Sequence, residues 1–194
     1  MAIQRGFVCE WICANDSSLV VYGMRTRWVS LACVDGRHIL VDLSPHGACT
    51  LLGVPLWEVT NSVISVAGVL GPAVARTAPG PRPAPQVVWA WRRLCRSGGR
   101  IRVAQLAAEV GWTRRHLLTR FREQIGLAPK TAARVIRFQH ALRLLQHPER
   151  RLSLAGLAQT TGYSDQAHLT REFRALTGAT PLELAAGWPY RGGT

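Results

Sequence analysis

Two short stretches of this chain hold side chains suited to reading the edges of base pairs. In the first, Arg114, Arg115, Leu118, Thr119 and Arg122 fall on the outer faces of a helix whose inward residues are Leu117 and Phe121. In the second, Gln166, Ala167, Thr170, Arg171 and Arg174 stand in the same relation to inward Leu169 and Phe173. The residue types fit direct readout: arginine pairs with guanine O6 and N7, glutamine with adenine N6 and N7, and alanine and threonine methyls meet the thymine methyl. No reaction chemistry accompanies them. His116 and His168 occupy matching places, but no serine or cysteine nucleophile with a carboxylate is arranged beside them, so both read as helix-surface residues near the groove. The expectation is a non-enzymatic binding protein with no cofactor and no metal.

The elements that must position these residues form an internal repeat. Leu106-Ala107 aligns with Leu157-Ala158 and Gly111-Trp112 with Gly162-Tyr163 at an offset of 51 residues. One inserted residue then raises the offset to 52, pairing His116-Leu117 with His168-Leu169, Phe121-Arg122 with Phe173-Arg174, Gly126 with Gly178 and Pro129 with Pro181. The first copy reads as a helix from Val103 to Val110, a turn at Gly111, a cap at Thr113 and a second helix to about Gln124. The second copy reads as a helix from Leu154 to Thr160, a turn at Gly162, a cap at Ser164 and a helix from Asp165 to Leu176. Both follow helix-turn-helix grammar. Between them, Lys130 to Gln146 reads as one helix with Val135, Phe138, Leu142 and Leu145 on its packed face. Seventeen helical residues span about 25 Å, against roughly 34 Å between successive major-groove faces on one side of B-DNA. One chain is thus expected to reach two adjacent groove segments, with the DNA bent or with one unit on the backbone only.

Charge supports the same polyanionic partner. The 194 residues carry 24 Lys+Arg against 11 Asp+Glu, a net of +13, and from Gln86 onward the balance is 18 basic to 6 acidic against 6 to 5 before it. No run of 18 apolar residues exists to span a membrane. Met1 to Ala14 lacks a signal-peptide pattern because Glu10 interrupts its apolar stretch, so a cytoplasmic location is expected. Trp89, Trp91, Trp112 and Tyr163 read as scaffold, not as base-stacking residues.

Thr77 to Pro85 holds four prolines and a glycine in nine residues and reads as a linker. The expected organisation is a small β-containing N-terminal domain over 1–78, a linker over 79–85, and a mainly α domain over 86–190 holding both units and the joining helix, an α+β chain overall. Before the linker, Trp28 to Val34 and Arg37 to Leu43 flank Asp35-Gly36, the signature of a hairpin with a type I′ turn. After it, Val87, Trp91 and Leu94 mark a helix stopped by Gly98-Gly99.

The segment Ala158-Gln-Thr-Thr-Gly-Tyr-Ser-Asp-Gln-Ala-His-Leu-Thr-Arg-Glu-Phe-Arg174, followed by Thr177-Gly-Ala-Thr-Pro181, resembles the signature of AraC/XylS transcriptional regulators, and the likeness extends over Gln86 to Trp188. That resemblance implies a double helix-turn-helix domain on double-stranded DNA, RNA polymerase as a partner, activation as the usual sign, and a small-molecule effector in many members. It also implies that Gln166, Ala167, His168 and Arg171 face DNA in the second unit, and Arg114, Arg115, Leu118 and Thr119 in the first. Two departures stand out. Thr119 occupies the place where the family has arginine, the nearby arginine being Arg120, and Leu184-Ala185 replace a usual aromatic-arginine pair. Ser44 to Trp57 and Glu58 to Gly71 resemble the end of an effector domain about twice as long as these 78 residues, which implies a strand pair, short helices and no complete ligand pocket.

Two alternatives remain open at this point. Cys9 and Cys13 resemble the first zinc pair of Ada-type repair regulators, but Cys33 and Cys49 lie 16 apart and form no second close pair, so free thiols are expected, Cys95 included. The other alternative is a truncated regulator without effector control.

Overall fold

The computed structural model describes residues 10–14, 19–22, 39–52, 54–65, 82–146 and 152–186. Near the N-terminus, strands β1 (Glu10–Ala14), β2 (Leu19–Tyr22), β3 (Ile39–Leu43) and β4 (Val63–Ser65) pair antiparallel in the order β3-β1-β2-β4. The register sets Ile12 opposite both Val21 and Val41, and Val21 opposite Ile64. The Asp35-Gly36 turn and first strand of the expected hairpin lie outside the described residues, as does the linker up to Pro81.

Helices α1 (Pro45–Leu52) and α2 (Leu56–Val59) follow β3. Then come α3 (Pro85–Arg96), α4 (Val103–Glu109), α5 (Arg114–Ile125), α6 (Pro129–Gln146), α7 (Leu154–Thr161), α8 (Gln166–Thr177) and α9 (Pro181–Ala186). The boundaries follow from backbone hydrogen-bond needs at helix ends. Pro85 opens α3 at a position where its missing N–H costs nothing. Thr113 caps α5 by accepting from the His116 N–H at 3.2 Å, and Ser153 caps α7 by accepting from the Gly156 N–H at 3.1 Å. Gly126 and Gly178 end α5 and α8 in the left-handed region, with φ of 85° and 80°.

The cap of α8 differs from expectation. Asp165, not Ser164, accepts from the His168 N–H, at 2.6 Å, and α8 begins at Gln166. The reason lies in the repeat: the inserted residue is Ser164 itself, so the capping place of Thr113 passes to Asp165, whose carboxylate makes a charge-assisted bond. Ser164 supports it from outside, its hydroxyl 3.0 Å from the Asp165 carboxylate. These donors, the His168 N–H first and the Ser164 hydroxyl second, hold the Asp165 carboxyl below its ordinary pKa.

One buried cluster runs through both units. Leu106, Leu117, Phe121 and Ile125 from the first, Leu157, Leu169, Phe173 and Leu176 from the second, and Val135, Ile136, Phe138 and Leu142 of α6 all belong to it. Trp91 of α3 lies 6.4 Å from the Phe121 ring, and Phe138 meets Phe173 edge-on at 4.7 Å. Leu145, expected on the packed face of α6, is only partly buried at its rim. Two ionic contacts fix the outside of this assembly: Arg93 to Glu109 at 3.0 Å, and Arg134 of α6 to Glu172 of α8 at 2.5 Å. Arg137 of α6 adds a cation contact 5.6 Å from the centre of the Tyr163 ring. Burial of that ring pushes the Tyr163 hydroxyl well above its ordinary pKa.

Candidate nucleic-acid interface

The positions of the candidate residues follow from what the helices bury. Because Leu117, Phe121 and Ile125 turn into the core, α5 leaves Arg114, Arg115, Thr119 and Arg122 exposed and Leu118 half-buried. By the same periodicity α8 buries Leu169, Phe173 and Leu176, leaving Gln166, Ala167, Arg171 and Arg174 exposed and His168 and Thr170 half-buried. All eleven candidate residues therefore reach the surface of the second helix of their unit.

Ion pairing engages Arg93, Arg120 and Arg134 and leaves the candidate arginines, like Arg92, Arg96 and Arg102, outside any ion pair among the described residues. Glu109 is held by Arg93, Glu123 by Arg120 at 3.1 Å, and Glu172 by Arg134. Asp165 caps α8, and Glu183 forms a reciprocal box with Thr180, accepting its N–H at 2.6 Å while the Glu183 N–H donates to the Thr180 hydroxyl at 3.2 Å. Each described acidic side chain between residues 82 and 186 thus has a hydrogen-bond or ion-pair partner outside the candidate arginines, although Asp165 and Glu183 also lie within electrostatic reach of Arg171 and Arg174. Arg114, Arg115, Arg122, Arg171 and Arg174 form no ion pair with another described residue. Arg114 and Arg115 also sit in the first turn of α5, which contains no acidic residue. Cations there oppose the positive end of the helix dipole, an arrangement that a bound polyanion relieves.

The first unit differs from the second at its reading positions. Thr119 is short, and its hydroxyl donates to the Arg115 carbonyl at 3.2 Å. Arg120 does not take its place, being paired with Glu123. In the second unit Thr170 likewise donates to the Gln166 carbonyl, at 2.9 Å, but Arg171 remains exposed beside it. The first unit therefore presents Arg115 and Arg122, and the second presents Gln166 and Arg171.

The histidines and aromatics are structural supports. His116 stacks edge-on to Trp112 at 4.4 Å and His168 edge-on to Tyr163 at 5.2 Å, so each matched pair braces the turn of its unit. Trp91 and Tyr163 are buried and Trp112 is half-buried, as scaffold residues should be. Trp89 departs from that expectation at 37% exposed, because it lies off the Val87–Trp91–Leu94 stripe of α3. Leu184 packs against the buried cluster, so its position in α9 serves the core.

Sequence reasoning missed a further neighbour of this surface. Helices α1 and α2 pack on α5, and the Thr60 hydroxyl donates to the Gly126 carbonyl at 3.0 Å. Trp57 of α2 is 46% exposed and borders a cleft whose other described walls are Thr119, Arg122 and Glu123. No spacing pattern signals a contact 66 residues apart.

Among the described residues no group of three or more histidine, cysteine or acidic side chains could hold a metal, and no helix is long and apolar enough to cross a membrane. Cys9 and Cys33 lie outside the described residues, while Cys49 is buried and Cys95 exposed, neither in a disulfide with another described residue.

Comparison with known proteins agrees with this geometry. Residues 106–187 match a helix-turn-helix domain family. A 79-residue stretch is 40% identical to the HTH-type transcriptional regulator GlxA of Rhizobium meliloti (strain 1021), covering 41% of this chain and 24% of that protein. The chain thus matches about a quarter of that relative's length. Among solved structures, the DNA-binding domain of AdpA, a global transcriptional factor in complex with a target DNA, superposes with a TM-score of 0.51 at 24% identity, covering 56% of this chain and 97% of that one. An AraC-type transcriptional regulator from Chromobacterium violaceum gives 0.50 at 24% identity, covering 56% and 96%. The C-terminal domain of AraT, a response regulator from Geobacillus stearothermophilus, gives 0.51 at 18% identity, covering 55% and 88%. The C-terminal part of this chain therefore has the AraC-type DNA-binding fold, with its helix-turn-helix domain at residues 106–187.

Proposed function

We propose that this protein is a sequence-specific DNA-binding regulator of transcription whose two helix-turn-helix units enter adjacent major-groove segments of one duplex. The observation that carries the reading is the exposure of Arg114, Arg115 and Arg122 on α5 and of Arg171 and Arg174 on α8, none of them in an ion pair with another described residue, while Glu109, Glu123 and Glu172 are paired with Arg93, Arg120 and Arg134. In this reading Arg114, Arg115, Leu118, Thr119 and Arg122 form the first contact surface, and Gln166, Ala167, His168, Thr170, Arg171 and Arg174 the second. Gln166 and Arg171 read base edges in the second unit and Arg115 in the first, and Arg114, Arg122 and Arg174 hold phosphates. The 18 residues of α6 span about 27 Å, shorter than the roughly 34 Å groove repeat, so docking both units bends the duplex.

The β-containing segment over 1–78 then serves as a regulatory part joined through a linker at 79–85. RNA polymerase is the partner that an activator requires, a cytoplasmic location follows from a chromosomal target, and any effector would act through the N-terminal segment. Binding titrated against salt tests the core of the reading. If those three phosphate-holding arginines each displace one counterion, the slope of log K against log salt is about −2.7. A slope near zero would refute it.

A further inference from the structure

The internal repeat supplies its own control for what the N-terminal segment does. Gly126 and Gly178 hold equivalent places at the ends of α5 and α8 and nearly the same left-handed backbone. A Cβ at Gly178 would meet nothing within 4 Å, whereas one at Gly126 would lie 2.7 Å from the Thr60 hydroxyl and 2.9 Å from the Leu56 carbonyl oxygen. The N-terminal helices thus dock on one unit at a spot that its twin leaves open. This docking seats Trp57 beside Thr119 and Arg122, on the unit whose own reading positions are the poorer.

We propose that Trp57 is a DNA-contacting residue, and that the cleft of about 330 Å³ between it and α5 receives a sugar-phosphate unit of the strand bordering the first unit. The inference rests on the DNA-binding reading above and extends it beyond the helix-turn-helix domain. The walls of the cleft fit that occupant. Arg122 supplies a cation with no ion pair to another described residue, Thr119 a hydroxyl, and Trp57 an apolar face with one N–H donor. The acidic wall, Glu123, is offset by Arg120 at 3.1 Å. A tryptophan 46% exposed gains burial when a sugar ring covers it. The two units then become unequal by construction: the second binds through α8 alone, and the first through α5 and α2 together.

The test uses the full chain on a duplex recovered by selection, with affinity measured by titration and the backbone mapped by hydroxyl-radical cleavage. Trp57→Ala is expected to weaken binding about five- to tenfold and to lose sugar protection only at the edge of the first unit's element. Trp57→Phe should retain most of that protection. Unchanged affinity and footprint would overturn the proposal, and tighter binding by Trp57→Ala would overturn it in favour of a helix that masks α5. If the parent protein selects no duplex at all, the DNA-binding reading itself fails, an outcome distinct from a silent Trp57→Ala in a protein that binds.

Discussion

Replacing Gly126 and Gly178 by alanine, one at a time, separates a backbone cost common to both repeats from a contact peculiar to the first. Both residues have positive φ, 85° and 80°, so each alanine variant bears the same left-handed penalty of roughly 1–2 kcal/mol. At Gly178 that is the whole effect, since open space surrounds the new methyl. At Gly126 the methyl also collides with the Leu56 carbonyl, which is backbone, and with the Thr60 hydroxyl. Forced overpacking of this kind adds about 1–3 kcal/mol, and the addition is capped by the energy of docking α2, because release of that helix is the alternative. Equilibrium urea unfolding of the two variants beside the parent gives both numbers. The expected order is parent, then Gly178→Ala, then Gly126→Ala. A second comparison isolates the cause, since Thr60→Ala should recover part of the loss in Gly126→Ala and none in Gly178→Ala. Equal losses at the two glycines would refute the docking of α2 on α5.

Phe138→Ala should cost about 3–5 kcal/mol, measured by the same unfolding assay, because this fully buried ring joins α6 to Phe173 of the second unit. Thr113→Ala should cost about 1 kcal/mol through loss of the α5 cap, while Thr113→Ser should cost little. Burial first, then the charges of Arg143 and Arg100, hold the His140 pKa below its ordinary value. The unfolded chain therefore binds the proton more readily, and stability falls as pH drops through about 6.5 and the folded pKa below it. His140→Gln should flatten that decline, read as the change in unfolding midpoint between about pH 7.5 and 5.5. Arg171→Ala should cost about 1–3 kcal/mol on the selected site and relax preference at one base position. Equal weakening on specific and random duplex would show that Arg171 holds a phosphate instead.

Much of the helical architecture was legible because each unit repeats the same local physics. Inward leucine and phenylalanine four residues apart, a capping side chain and a turn glycine recur in both copies, and each sets a boundary within one or two residues. The cap of α8 was misplaced because serine and aspartate are both good capping residues and stand side by side at 164 and 165. Only the register of the insertion distinguishes them, and sequence alone leaves that register free by one position. The Thr180–Glu183 box shows its Thr-x-x-Glu spacing openly in the sequence, and that spacing was the available signal for α9. The pattern of ion pairs was hidden for a different reason. Arg93–Glu109 and Arg134–Glu172 join residues 16 and 38 apart, so which arginines remain unpaired emerges only after packing. The docking of Thr60 on Gly126 is longer-ranged still, crossing the proline-rich segment between them.

The central claim is that both units read one duplex, and selection of genomic DNA fragments by the purified full chain at near-physiological salt tests it most directly. The account predicts a recovered motif with two elements centred about one helical turn, 10–10.5 base pairs, apart. Recovery of a single element, or of fragments with no common sequence, would contradict it.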